Sequence, residues 1–257
     1  MAEQGKVIWH DLMTTDVEKS KDFYKKLLGW ECNVTDMGEA GKYNMIRSGS
    51  TDLGGYMPLD EKSGLPSHWI AYVGVGDVDA AIKAAVKTGG KVGVEPMDMP
   101  GVGRFGVISG PEGAWISPFK HETAPADDAP EKMPPFNTFH WLELVSNDID
   151  ASLECYANVF GWKGLAMDMG EMGMYHVMQA DGVNRAGMMA IPPDAQGPSQ
   201  WVPYVGIEDV DDVTARVEKL GGTVYAPPAD VPGVGRFSVV ADATGATLGL
   251  LQPAPMG

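Results

Sequence analysis

The chain has 257 residues, enough for one large domain or two of ordinary size with a true hydrophobic core. Apolar residues make up 44%, which excludes a disordered chain, and 35 acidic against 19 basic side chains leave a formal charge of −16. A surface that negative repels phosphate backbones and anionic lipid head groups, so neither nucleic acid nor membrane is an expected partner.

Residues Met1–Leu12 hold no basic stretch followed by an apolar one, so no secretory signal is read there. No apolar run approaches the ~18–20 residues that cross a bilayer. A cytoplasmic location is expected, with Cys32 and Cys155 as reduced thiols. The first strand-like run is Val7–Met13. Thr15-Asp-Val-Glu18 then reads as a capping box, and Val17, Phe23, Tyr24, Leu27 and Leu28 recur at helical spacing until Gly29 stops the helix. Short β-prone runs divided by Gly, Pro, Asn and Asp follow. A second strand, His68–Val75, leads to a helix from Asp77 whose apolar face is Val78, Ile82, Ala85 and Val86, ended by Gly89-Gly90. Further β-prone runs enclose the Pro-Gly-Val-Gly-Arg-Phe segment, Pro100–Phe105. His121–Pro135 is rich in Pro, Ala and acid and reads as an exposed linker.

Beyond the linker the chain repeats itself. The Pro100–Phe105 segment recurs at Pro232–Phe237, an offset of 132 residues. The same offset pairs Trp9 with Trp141, Tyr24 with Tyr156, Gly29-Trp30 with Gly161-Trp162, Tyr43 with Tyr175, Trp69 with Trp201 and Tyr72 with Tyr204, with no gap. Such a register requires one fold for both halves. Strand runs at Phe139–Val145 and Gln200–Ile207 precede helices carrying Ile149, Leu153, Tyr156 and Phe160, then Val210, Val213, Val217 and Leu220. The order β-α-β-β-β thus appears four times. The domain division read from this is 1–120, a linker over 121–137, and 138–257; which modules pair is left open.

That order, with the runs Asp16–Trp30 and Asp148–Trp162, resembles the vicinal oxygen chelate superfamily of glyoxalases, bleomycin-resistance proteins and dioxygenases. The resemblance covers nearly the whole chain outside the linker. It implies an α+β fold of four βαβββ modules forming two half-open β-barrels, whose concave faces hold a ligand and, in the metal enzymes, a divalent ion. The family's ligands are His, Gln or Glu on the first strand and Glu on the last. Here those places fall to Trp9 and Trp141 and to Ser117 and Gly249, none a usual metal ligand. No cofactor is therefore expected; a divalent metal held by non-standard ligands is the alternative.

The remaining candidates come from strand alternation. If Trp9 and Trp141 face a cleft, so do Asp11 and Glu143, which could serve as acid or base beside the indoles or could brace the barrel. The duplicated aromatics Tyr43/Tyr175, Trp69/Trp201 and Tyr72/Tyr204 are candidate cleft-lining residues, with core packing as the other reading. Arg104 and Arg236 could clamp a ligand carboxylate or pair with Asp11/Glu143 or another acid. Met167, Met169, Met172 and Met174 form either an adaptable lid or a loose surface segment. The expected function is a glyoxalase-like protein, monomeric or homodimeric, that holds a small, partly apolar molecule in a barrel cleft without the metal. The alternatives are a lyase, isomerase or hydroxylase-like enzyme using Asp11/Glu143 and nearby tyrosines, and a metal-dependent glyoxalase or dioxygenase.

Overall fold

The structure is a computed structural model that describes residues 3–38, 41–123, 133–170, 173–193, 195 and 197–254. Most of the expected linker, and Met172, lie outside the described residues. Four βαβββ modules follow one another. The first is β1 (Val7–Thr14), α1 (Val17–Leu28), β2 (Glu31–Asp36), β3 (Lys42–Ser48) and β4 (Thr51–Pro58). The second is β5 (His68–Gly74), α2 (Val78–Lys87), β6 (Lys91–Met99), β7 (Gly103–Ser109) and β8 (Trp115–His121). The third is β9 (Phe139–Ser146), α3 (Ile149–Phe160), β10 (Lys163–Asp168), β11 (Met174–Ala180) and β12 (Val183–Ala190). The fourth is β13 (Gln200–Gly206), α4 (Val210–Val217), β14 (Thr223–Val231), β15 (Gly235–Ala241) and β16 (Thr247–Pro253). None of these helices is long and apolar enough to cross a membrane.

Each half contributes one eight-stranded sheet, in the order β2-β3-β4-β1-β5-β8-β7-β6 and β10-β11-β12-β9-β13-β16-β15-β14. Strands one helix and two strands apart, β1 with β4 and β5 with β8, run parallel, and the hairpins within a module run antiparallel. Among the described residues each order is linear, with β2 and β6, and β10 and β14, at its ends.

The helix boundaries follow local chemistry. Asp16 caps α1 by accepting the Lys19 amide at 3.0 Å, one residue later than the Thr15 capping box would start it. Asp77, Asp148 and Asp209 cap the other three in the same way. Gly29 and Gly161 end α1 and α3 at φ 71° and 70°, a left-handed conformation that costs glycine little. On α2 the expected face needs one correction: Val86 is 51% exposed and Ala81 is buried, because the buried stripe runs through Val78, Ala81, Ile82 and Ala85.

Backbone contacts divide the chain into two compact units that do not follow the two sequence halves. One comprises Met1–Trp9, Ile70–Lys132 and Trp141–Trp201; the other comprises His10–Trp69, Met133–His140 and Val202–Gly257. Each therefore takes one module from either half. The first unit's core packs α2 and α3 residues such as Ile82, Ala85, Tyr156 and Phe160. The second unit's core packs Phe23, Tyr24, Leu27, Val210, Val213 and Val217 from α1 and α4. Both cores close around an aromatic group. Tyr156 donates to Glu112 at 2.7 Å, and burial pushes that carboxyl's pKa up. In the other unit Ser20 donates to Asp242 at 3.1 Å.

Candidate functional site

Leu12 on β1 and Leu142 and Leu144 on β9 are core residues, each at most 1% exposed. Alternation therefore turns Asp11 and Met13, and Trp141, Glu143 and Val145, to the face away from the helices. Trp9 shares that parity on β1. On this open face each acid meets a tyrosine from β3 or β11. The Tyr43 hydroxyl donates to Asp11 Oδ1. Tyr175 Oη donates to Glu143 Oε2 at 2.9 Å and accepts the Trp141 Nε1–H at 2.8 Å.

The tyrosine can reach the acid only by lying across the intervening strand. That strand carries a glycine at the crossing. Gly55 is in register with Asp11 on one side and Met45 on the other; Gly187 is in register with Glu143 and Val177. A Cβ on Gly55 would fall on the Tyr43 ring, and one on Gly187 on the Tyr175 hydroxyl. These glycines, which leave room for the tyrosines, are a pair that the reading of the sequence missed. The signal was present, since Gly55 and Gly187 obey the same 132-residue offset as the tyrosines.

Burial, and then the neighbouring Glu143 carboxylate, raise the Tyr175 pKa well above the ordinary phenol value. Tyr175 is therefore a neutral donor at any physiological pH. Asp11 is only 6% exposed, while Glu143, Trp141 and Tyr175 are half-buried. In each pair the phenol's single proton is given to the carboxylate, which it orients, on a floor of Met, Val and Trp side chains.

Tyr72 and Tyr204 also point away from the cores, because Ala71 and Val73, and Trp201 and Val205, occupy the core side of β5 and β13. The Tyr72 ring packs at 6.0 Å from Phe105 and 6.2 Å from Phe119. Tyr204 lies over Gly249 and fills the volume a side chain there would need. Ser117 donates its hydroxyl to the Gly106 carbonyl at 2.7 Å. Trp141 presents an indole N–H, which can only donate. The residues at the family's metal positions thus do not fit a divalent ion. Among the described residues no group of three or more His, Cys, Asp or Glu could hold one.

Four expected site residues belong elsewhere. Trp69 is 4% exposed in the second unit's core, with ring centroids 5.7 Å from Tyr24 and 5.5 Å from Phe139. Trp201 is equally buried, 5.0 Å from the Tyr156 ring, and donates to Tyr156 Oη at 3.2 Å. The reason is the strand period. Trp69 and Tyr72 are three residues apart, as are Trp201 and Tyr204, so one of each pair must face the core. Arg104 grips Asp79 on α2 through Nε at 2.8 Å and Nη2 at 3.0 Å, and Asp98 at 3.0 Å. Arg236 does the same with Asp211 and with Asp230 at 3.0 Å. These hydrogen bonds lower the Asp79 and Asp211 pKa values. Both arginines are surface braces between helix and hairpin, and their partners are not Asp11 or Glu143. Met167 and Met174 are strand residues of the β10–β11 hairpin rather than parts of a loose lid.

Comparison with known proteins agrees with this architecture. The family model of the Glyoxalase/Bleomycin resistance protein/Dioxygenase superfamily matches residues 6–117 and 138–250. The chain is 33% identical over 255 residues to the "Putative glyoxylase CFP32" of Mycobacterium bovis, covering 98% of this chain and 96% of that protein. It is 28% identical to the "Anthracycline biosynthesis protein DnrV" of Streptomyces peucetius, covering 96% and 93%. Among solved structures, the Mn(II)-bound glyoxalase of Novosphingobium aromaticivorans superposes with a TM-score of 0.64 at 16% identity, covering 100% of this chain and 90% of that one. The 2,3-dioxygenase LapB of Pseudomonas sp. KL28 does so with 0.62 at 13%, covering 99% and 96%. The chain belongs to the glyoxalase/bleomycin resistance protein/dioxygenase superfamily.

Proposed function

We propose that the protein binds a small, partly apolar molecule carrying a hydroxyl or carbonyl group at the tyrosine–carboxylate pairs of its open sheet faces, without a divalent metal. The observation that carries this reading is the duplication of a whole constellation: acid, tyrosine and the glycine gap between them recur in both halves. The constellation sits on the faces away from both cores, where packing does not call for it. The carboxylate, oriented by the phenol, supplies the acceptor for a ligand hydroxyl, a ligand carbonyl would take the phenol's proton in its place, and the surrounding apolar side chains supply the desolvated surface that makes a few polar contacts selective. The relatives named for a glyoxylase and for anthracycline biosynthesis are in keeping with a small-molecule ligand.

The Trp141–Tyr175–Glu143 hydrogen-bond chain favours one second reading, a lyase or isomerase. The Glu143 carboxylate would take a proton from a carbon next to a carbonyl, and the Tyr175 hydroxyl, giving up its bond to Glu143 as that group is protonated, would turn its one hydrogen bond to the oxygen on which negative charge collects.

The test replaces each acid isosterically. Glu143→Gln and Asp11→Asn should weaken binding of hydroxy- and oxo-substituted probe molecules about tenfold or more while leaving thermal melting nearly unchanged. If the pairs only brace the sheet, the same changes cost about 1–3 kcal/mol of stability with affinity intact. Elemental analysis of protein purified without chelator should find far less than one Zn, Ni, Fe or Mn per chain. Near-stoichiometric metal, lost on mutating the open face, would refute the metal-free reading.

A further inference from the structure

The two tyrosine–carboxylate pairs stand in different surroundings on the strands that flank them. In the second half the registers Met167↔Tyr175, Leu165↔Val177 and Tyr175↔Met189 place Leu165, Met167, Val177 and Met189 on the same face as Glu143. In the first half, Asn33↔Met45 and Thr35↔Tyr43 place Asn33 and Thr35 at the positions of Leu165 and Met167, with Met45 and Met57 matching Val177 and Met189. The rim is therefore polar beside Asp11 and apolar beside Glu143. Leu165 and Met167 are 53% and 45% exposed, and the described residues of the chain leave them uncovered. Large apolar side chains clustered at the edge of a polar site mark a surface that a ligand covers.

We propose that the two open faces have diverged in specificity, and that the Glu143 face takes the larger, flat apolar molecule with a single hydroxyl or carbonyl while the Asp11 face takes a smaller, more polar one. Leu165 and Met167 against Asn33 and Thr35 are the specificity-determining residues. The inference rests on the binding function proposed above. A flat ring system laid over Val177 and Met189 extends to Leu165 and Met167 at the sheet edge, whereas on the other face the same extension would bury the Asn33 amide without a partner, at a cost comparable to a lost hydrogen bond.

Methionine methyl groups report on the two faces separately, Met189 on one and Met57 on the other. The full-length protein, labelled with ¹³C at the methionine methyls, is titrated with 1-naphthol and with phenol, two probes with the same hydroxyl and different apolar area. The expected result is that 1-naphthol half-saturates the Met189 shift at about one-tenth the concentration needed for Met57, and that phenol shows little preference. The exchange L165N/M167T should abolish the preference at Met189, and N33L/T35M should confer it on Met57, with circular dichroism and melting confirming that both variants fold. Equal half-saturation at the two methyls, or a preference that survives the exchange, overturns the divergence but leaves the binding function standing. No response at either methyl overturns both. Response at both methyls that persists in Y175F and Y43F overturns the tyrosine-based binding function alone.

Discussion

His10 should make this protein acid-labile, and the size of the effect can be worked out. His10 lies beside Asp11 on β1 but on the core side, 6% exposed, stacked on Phe139 with ring centroids 3.9 Å apart. Its Nε2 has no hydrogen-bond partner among the described residues. Burial alone lowers its pKa from 6.5 to about 3. Between those values the unfolded chain binds a proton there that the folded chain refuses, so stability rises with pH and is lost as pH falls through 6.5. The slope approaches 1.4 kcal/mol per pH unit, about 2 kcal/mol between pH 7 and pH 5. The repeat supplies the control, since the position 132 residues on is Leu142. In H10L the imidazole's contribution disappears, and at pH 7 the variant should be no less stable than the parent, because an unpartnered buried nitrogen is removed. The assay is urea unfolding of both proteins at pH 7, 6 and 5, compared as a difference so that acid titration of shared carboxylates cancels. If the difference between parent and H10L stays constant from pH 7 to 5, the buried, neutral His10 described above is wrong.

Two further outcomes follow from the site geometry. Gly187→Ala should drive the Tyr175 hydroxyl off Glu143, abolishing binding at that face while the other keeps its affinity; unchanged binding at the Met189 methyl would show that the ring need not cross β12 there. Trp201→Phe should destabilise the chain by about 1–3 kcal/mol through the lost bond to Tyr156 and a smaller core ring, with ligand affinity unaltered; a selective loss of affinity would return Trp201 to the site.

Much of the molecule was legible before any coordinates. A single 132-residue offset through Trp9/Trp141, Tyr43/Tyr175 and both arginine turns dictated equivalent halves, and the alternation of period-2 and period-3.6 patterns dictated four βαβββ modules. Strand period also placed Asp11 and Glu143 opposite Leu12 and Leu142, because facing along one strand is a local property. The same rule, applied to Trp69 and Tyr72 together, would have sent one of them to the core.

What the tertiary structure alone decided depends on chain segments distant in sequence. Which modules share a core could not be read from a repeat whose modules look alike; the contacts assign α2 with α3 and α1 with α4. That Tyr43 and Tyr175 reach their acids needed the register of three strands and the absence of a Cβ on the middle one. That Arg104 and Arg236 turn to helix acids at Asp79 and Asp211 was settled by which charge lay within reach once the hairpin folded back. Sequence carries the periodicities of single elements; register, ion-pair choice and core partnership are set by close packing between elements, where the nearest competing group wins.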